Sequence, residues 1–121
     1  MKPRSAKNKG KRLQETVAQK IRETFNLEER AVVSTPNSIN GADLLLSEQA
    51  KELFPYSTEL KNCEKLSIWA ALKQAEYNVL PLTKPLLVFS RNRSKIYACL
   101  ELDDLLYLLK TIAFHHGLVE K

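Results

Sequence analysis

The sequence predicts an α/β fold: one mixed five-stranded sheet flanked by helices, in the order α-β-β-β-α-β-β-α. Three observations predict it. Leu13, Val17, Ile21 and Phe25 recur at four-residue spacing and give one apolar helical stripe near the N-terminus. Short apolar or alternating runs, bounded by Pro, Asn, Gly and Ser, then recur as strands do. Two further helix-period segments interrupt and close that series.

The first helix spans about residues 9–25. Ala31 to Thr35 is a short strand, and Pro36-Asn37-Ser38-Ile39-Asn40-Gly41 is turn chemistry leading into a second strand, Ala42 to Leu46. Ser47 caps a short helix, Glu48 to Phe54, which Pro55 ends. Tyr56 to Lys61 is the third strand. Ser67, another capping candidate, precedes an amphipathic helix, Ile68 to Tyr77, with Ile68, Ala71, Leu72 and Ala75 on one side. Pro85 to Ser90 is an apolar central strand, and Arg91-Asn92-Arg93-Ser94 turns it into Lys95 to Leu100. A last helix covers Leu102 to Phe114, rich in Leu105, Leu106, Leu108, Leu109 and Ile112. The first three strands are expected to form an antiparallel meander, and the helix after Ser67 to carry the chain to a parallel fourth strand.

The 121 residues form one domain, 9–121, behind a basic arm, 1–8, whose composition reads as disordered. The first twelve residues hold Lys2, Arg4, Lys7, Lys9, Lys11 and Arg12 with no acid, for +6, while the other 13 basic and 14 acidic residues leave −1. Such an arm suits a phosphate backbone, or serves as a solubilising tail or a receptor-read signal. No apolar run approaches the roughly 20 residues of a membrane span, so no membrane partner is expected. Cys63 and Cys99 form neither a disulfide framework nor a metal-ligand pattern, which suits reduced thiols in the cytoplasm.

The chemistry concentrates in Asp43 and Glu59-Leu60-Lys61. Alternate strand residues share a face, so Glu59 and Lys61 stand about 7 Å apart on one side, with Asp43 opening the neighbouring strand. Two carboxylates and a lysine on a sheet surface can hold a divalent cation and an activated water, although an isolated Glu-x-Lys is also a common surface pair. Gln74 is either an exposed helix residue or a hydrogen-bonding partner for the lysine or DNA. Arg91, Arg93 and Lys95 make a basic hairpin tip that suits a DNA backbone or simply a solvated turn. His115 and His116 read as a polar helix end, and Trp69 as core or subunit interface.

That order, with an acid opening strand two and Glu-x-Lys on strand three, resembles the PD-(D/E)XK nuclease superfamily, whose fold is restriction-endonuclease-like. Within it the chain is similar to the small stand-alone Holliday junction resolvases of archaea and phages. Lys9-Gly10, Ser34-Thr35-Pro36-Asn37-Ser38, Gly41-Ala42-Asp43, Glu59-Leu60-Lys61 and Gln74-Ala75-Glu76 carry the resemblance. It implies that Asp43, Glu59 and the Leu60 carbonyl bind Mg²⁺ or Mn²⁺, that Lys61 orients the attacking water, and that Ser34 or Ser38 binds a phosphate. It further implies a homodimer acting on branched DNA in recombination or repair, no small-molecule substrate, and DNA contacts from Lys7, Lys9, Lys11, Arg12, Gln74, Arg91, Arg93 and Lys95. Where those resolvases carry a glutamate on the first helix, this chain has Gln14. At about 100° per residue Gln14 falls within the apolar arc and Glu15 outside it, so Gln14 is the residue expected to face the sheet. The shared catalytic centre leaves open a nicking or repair endonuclease on duplex, flap or single-stranded DNA, and Gln14 leaves open a non-catalytic DNA-binding protein of the same fold.

Overall fold

The computed structural model describes residues 3–36 and 41–120, with side chains from Lys9 onward. Helix α1 spans Pro3–Phe25, and strands β1 and β2 are Val32–Ser34 and Leu44–Leu46. Helix α2 is Glu48–Leu53, β3 Tyr56–Asn62 and α3 Ile68–Tyr77. Strands β4 and β5 are Lys84–Ser90 and Tyr97–Cys99, and α4 is Leu102–His115. The predicted order of elements is therefore present. One 3-10 turn, Glu29–Ala31, was not expected.

Helix α1 begins at Pro3, so the segment 3–8, expected to be disordered, continues the helix. Proline lacks an N–H and has its φ preset, which suits a first helical turn. Leu13, Val17, Ala18 and Ile21 are buried and pack with Val32, Leu44, Leu60, Leu86 and Val88 in one core. Phe25, expected on that stripe, lies in the last turn and is 36% exposed. The helix stops there because Asn26 turns left-handed, at φ 53°, and the Leu27 N–H donates to the Arg22 carbonyl at 2.9 Å. The Arg22 guanidinium also donates to the Val32 carbonyl and ties the helix to β1.

The five strands do not form one sheet. β1 and β2 make an antiparallel pair, Val33 opposite Leu45, and β3-β4-β5 make a separate three-stranded sheet. Within that sheet β3 and β4 run parallel, with Glu59 opposite Leu87, as the helical crossover predicts, and β5 is antiparallel to β4. The meander fails between β2 and β3, and Asp43 is the reason. Its N–H donates to the Thr58 carbonyl at 2.9 Å, whereas its carbonyl accepts from the Thr35 N–H at 2.9 Å. In a regular strand both groups face the same neighbour. At Asp43 they face opposite ones, so the backbone bends and no β2-β3 ladder propagates.

Two layers of helix flank the three-stranded sheet. α1 lies on the side of Leu60, Leu86 and Val88. α3 lies on the other side and brings Ala71 and Ala75, both buried, against β3 and β4. Ser47 caps α2 by accepting from the Ala50 N–H at 3.1 Å, as expected. α4 is different, since none of its residues is buried.

Candidate active site

Asp43 is positioned by backbone on three sides. Gly41, with φ 120°, makes the turn that delivers Ala42 and Asp43 to the edge of β3, a conformation that favours glycine. The Thr35 hydroxyl donates to the Ala42 carbonyl at 2.7 Å and pins the returning chain. The Asp43 carboxylate then accepts from the Leu60 N–H at 2.7 Å. A side chain thus supplies the bond that a neighbouring strand's carbonyl would have made.

Glu59 is only 3% exposed, on the face of β3 opposite Leu60. The Asn78 side-chain amide donates to its Oε1 at 3.1 Å. Burial pushes the Glu59 carboxyl up to about 7, helped by a hydrogen bond with Asp43 and by the repulsion of the Asp43 charge. The Asn78 bond and the Lys61 ammonium oppose that rise. The two carboxyl groups predicted to converge are therefore near enough for the Asp43 charge to act on Glu59.

Such a pair is a set of hard oxygen donors whose repulsion a divalent cation would relieve. In an extended strand a residue's N–H and C=O leave on the same side, so the Leu60 carbonyl also points toward the Asp43 edge. The residues present therefore fit Mg²⁺ or Mn²⁺. Among the described residues no group of three or more Asp, Glu, His or Cys side chains is placed to share an ion, so the fit rests on two carboxylates and one carbonyl. Lys61 is half-buried next to this edge, and its charge reaches Glu59.

Other residues expected at the site divide into two groups. Gln14 is half-buried while Glu15 is exposed, as the helical arc predicts. Yet α1 covers the Leu60 face of β3 and Glu59 occupies the other, so Gln14 and Glu59 are not brought together on one face. Ser34 is half-buried and ends β1 opposite Leu44, and Ser38 lies outside the described residues. Gln74 is exposed, and its carbonyl accepts from the Asn78 N–H at 3.0 Å.

The basic residues cluster better than the sequence showed. Asn62 ends β3 and donates from its side chain to the Lys9 carbonyl at 3.3 Å. The same end of the sheet holds the turn after β4, because the Cys63 N–H donates to the Ser90 carbonyl at 3.3 Å. Lys11, Arg12, Arg91, Arg93 and Lys95 are exposed there, with Lys9 half-buried and the Lys7 side chain outside those described. Two basic segments far apart in sequence thus flank the end of β3 to which Lys61 leads.

Asn78 was not singled out in the sequence. A signal for it exists: Ala71 and Ala75 are small residues at helical spacing, and the next position on that stripe is Asn78. Small residues let α3 approach the sheet, and the first polar one meets Glu59. Trp69, read as core or interface, is 81% exposed and therefore not core. A groove of about 800 Å³ between α4 and Tyr56, Leu82 and Lys84 does not touch Asp43 or Glu59. No family model matches the chain, and neither a curated protein nor a solved structure matches it.

Proposed function

We propose that the protein is a metal-dependent, structure-specific DNA endonuclease, acting as a homodimeric Holliday junction resolvase. One observation carries this reading. The Asp43 carboxylate accepts from the N–H of Leu60, the residue after Glu59, so two acids sixteen positions apart in sequence lie beside each other and Lys61 at the edge of β3. Burying Glu59 beside a second carboxylate costs stability, and groups perturbed in this way concentrate at functional sites.

Asp43, Glu59 and the Leu60 carbonyl would hold the cation. Bound there, Mg²⁺ or Mn²⁺ supplies Lewis acidity that acidifies water and polarises a phosphate oxygen. Lys61 offsets the charge that grows on the non-bridging oxygens and orients the attacking water. Asn78 fixes one Glu59 oxygen and so leaves the other for the cation. Lys9, Lys11, Arg12, Arg91, Arg93 and Lys95 grip the backbone on either side of the scissile phosphate, which supports DNA as the substrate.

A labelled four-way junction incubated with Mg²⁺ or Mn²⁺ tests the reading. The expected result is paired, symmetric nicks, lost by about 10³-fold or more in Asp43→Asn with the helical content kept. If junctions stay intact while flap or duplex DNA is cut, the nicking or repair reading replaces the resolvase one. Absence of cutting on any DNA form removes the nuclease. Gln14 favours a non-catalytic DNA-binding protein in that event, and a calorimetric titration with Mn²⁺ that shows no uptake would agree with it.

A further inference from the structure

Helix α4 inverts the usual rule for a surface helix. Leu102, Leu106, Leu109 and Ile112 are between 51% and 65% exposed, and Leu105 and Leu108 are 39% exposed. Its inner side rests over the groove of about 800 Å³, where Asp104 pairs with Lys84 at 3.7 Å. A contiguous apolar strip of this length on a helix calls for a partner.

We infer that α4 pairs with the α4 of a second copy of this chain, antiparallel, across a two-fold axis. Leu102, Leu105, Leu109 and Ile112 follow the three-four spacing of a helix-helix seam. In an antiparallel pair Leu102 meets Ile112 of the other copy, and Leu105 meets Leu109. Charge selects this direction. Glu101, Asp103 and Asp104 open the helix, whereas Lys110, His115 and His116 lie toward its end. Antiparallel pairing sets acidic ends against basic ends and opposes the helix dipoles, while parallel pairing sets acid on acid.

The strip also extends beyond the helix at both ends. Trp69 and Leu102 line one groove of about 350 Å³, and Leu118 and Val119, 76% and 44% exposed, follow the C-terminus of α4. The two-fold brings these extensions toward each other, Trp69 of one copy near the C-terminal residues of the other. A helix of this length gives a seam of about 21 Å, short of the roughly 800 Å² per partner of a standard interface unless these extensions join it. The dimer should therefore be concentration-dependent, in the micromolar range. A bilayer surface is the poorer occupant, because membrane-surface helices carry Lys and Arg on the polar face and α4 offers Lys110 against Asp103 and Asp104.

Sedimentation of the full chain across the micromolar range tests this. The expected result is a monomer–dimer equilibrium that Leu105→Glu with Leu109→Glu abolishes. Helical content should persist in that variant, because neither side chain is buried in the monomer. In a Cys63→Ser, Cys99→Ser background, Leu102→Cys with Ile112→Cys should oxidise to covalent dimers and Leu102→Cys alone should not. A monomer at about 100 μM, a dimer indifferent to the two glutamates, or cross-linking by Leu102→Cys alone would each overturn the inference. So would flotation of the wild-type chain with anionic vesicles that the two glutamates abolish while its mass stays monomeric. The inference does not rest on the nuclease reading: Asp43→Asn should dimerise as wild type does, so a failed cleavage assay leaves it standing.

Discussion

The Asp43–Glu59 corner and helix α4 are inverse regions of one small protein. At the corner, acidic groups sit where a core would ordinarily be apolar: Glu59 is buried to 3% exposure, and the Leu60 and Thr35 N–H groups both donate to Asp43. On α4, leucines sit where a surface would ordinarily be polar, and nothing is buried. Neither arrangement stabilises the isolated monomer. An exposed leucine alone carries little information, but a buried acid or a contiguous apolar strip does. The two regions also differ in how a missing partner would be felt, since a cation relieves repulsion at the corner and a protein surface removes water from α4.

The sharpest way to break this comparison is to remove the charge at the corner. Glu59 has a folded-state pKa of about 7 against 4.5 for the free side chain. The folded protein therefore holds the Glu59 proton more tightly than the unfolded chain does. This contribution is fully present below pH 4.5 and is lost as pH rises to about 7, by at most roughly 3 kcal/mol. Chemical denaturation without metal should show that fall in the wild type and not in Glu59→Gln, which stays neutral and can bond both Asp43 and Asn78. Adding Mn²⁺ at pH 8 should restore the wild type alone. Parallel pH profiles for the two proteins would show that Glu59 is not the strained group.

A smaller effect separates a positioning role from a structural one at Asn78. Its amide holds Glu59, and its backbone N–H closes the C-terminus of α3 onto the Gln74 carbonyl. Asn78→Ala keeps the backbone bond and loses the side-chain one. Mn²⁺ affinity should then fall about tenfold, as losses of groups that orient a metal ligand usually do. If affinity holds and only the melting temperature drops, Asn78 is a helix end and nothing more.

The sequence made most of this legible through period and punctuation. The bounds of α3 follow from its apolar stripe, and β4 from its apolar run, both to within a residue of the structure, although Ser67, expected to cap α3, makes no side-chain cap bond. The convergence of Asp43 with Glu59 followed from strand geometry and a glycine turn. What was hidden depends on tertiary bonds that no local pattern encodes. The five-stranded sheet was wrong because Asp43 bends its own backbone to reach Thr35 and Thr58 at once. The apolar period of α4 was visible, but period cannot tell a face that meets the core from one left exposed. The meeting of Lys9 with the end of β3 needed the Asn62 bond, which joins residues far apart in sequence.

The smallest prediction concerns the strand that carries the site. The Thr58 hydroxyl, 1% exposed, has no hydrogen-bond partner among the described residues, although it adjoins Glu59. A buried hydroxyl without a partner costs stability, and valine has nearly its shape and suits a strand at least as well. Thr58→Val should therefore stabilise the protein by about 1 kcal/mol, read as a shifted denaturation midpoint. Thr58 and Glu59 point to opposite faces of β3, so the pH profile and Mn²⁺ affinity should not move. A loss of Mn²⁺ affinity in Thr58→Val would mean that the hydroxyl serves the acidic corner after all. The two faces of β3 would then share the polar work here assigned to one of them.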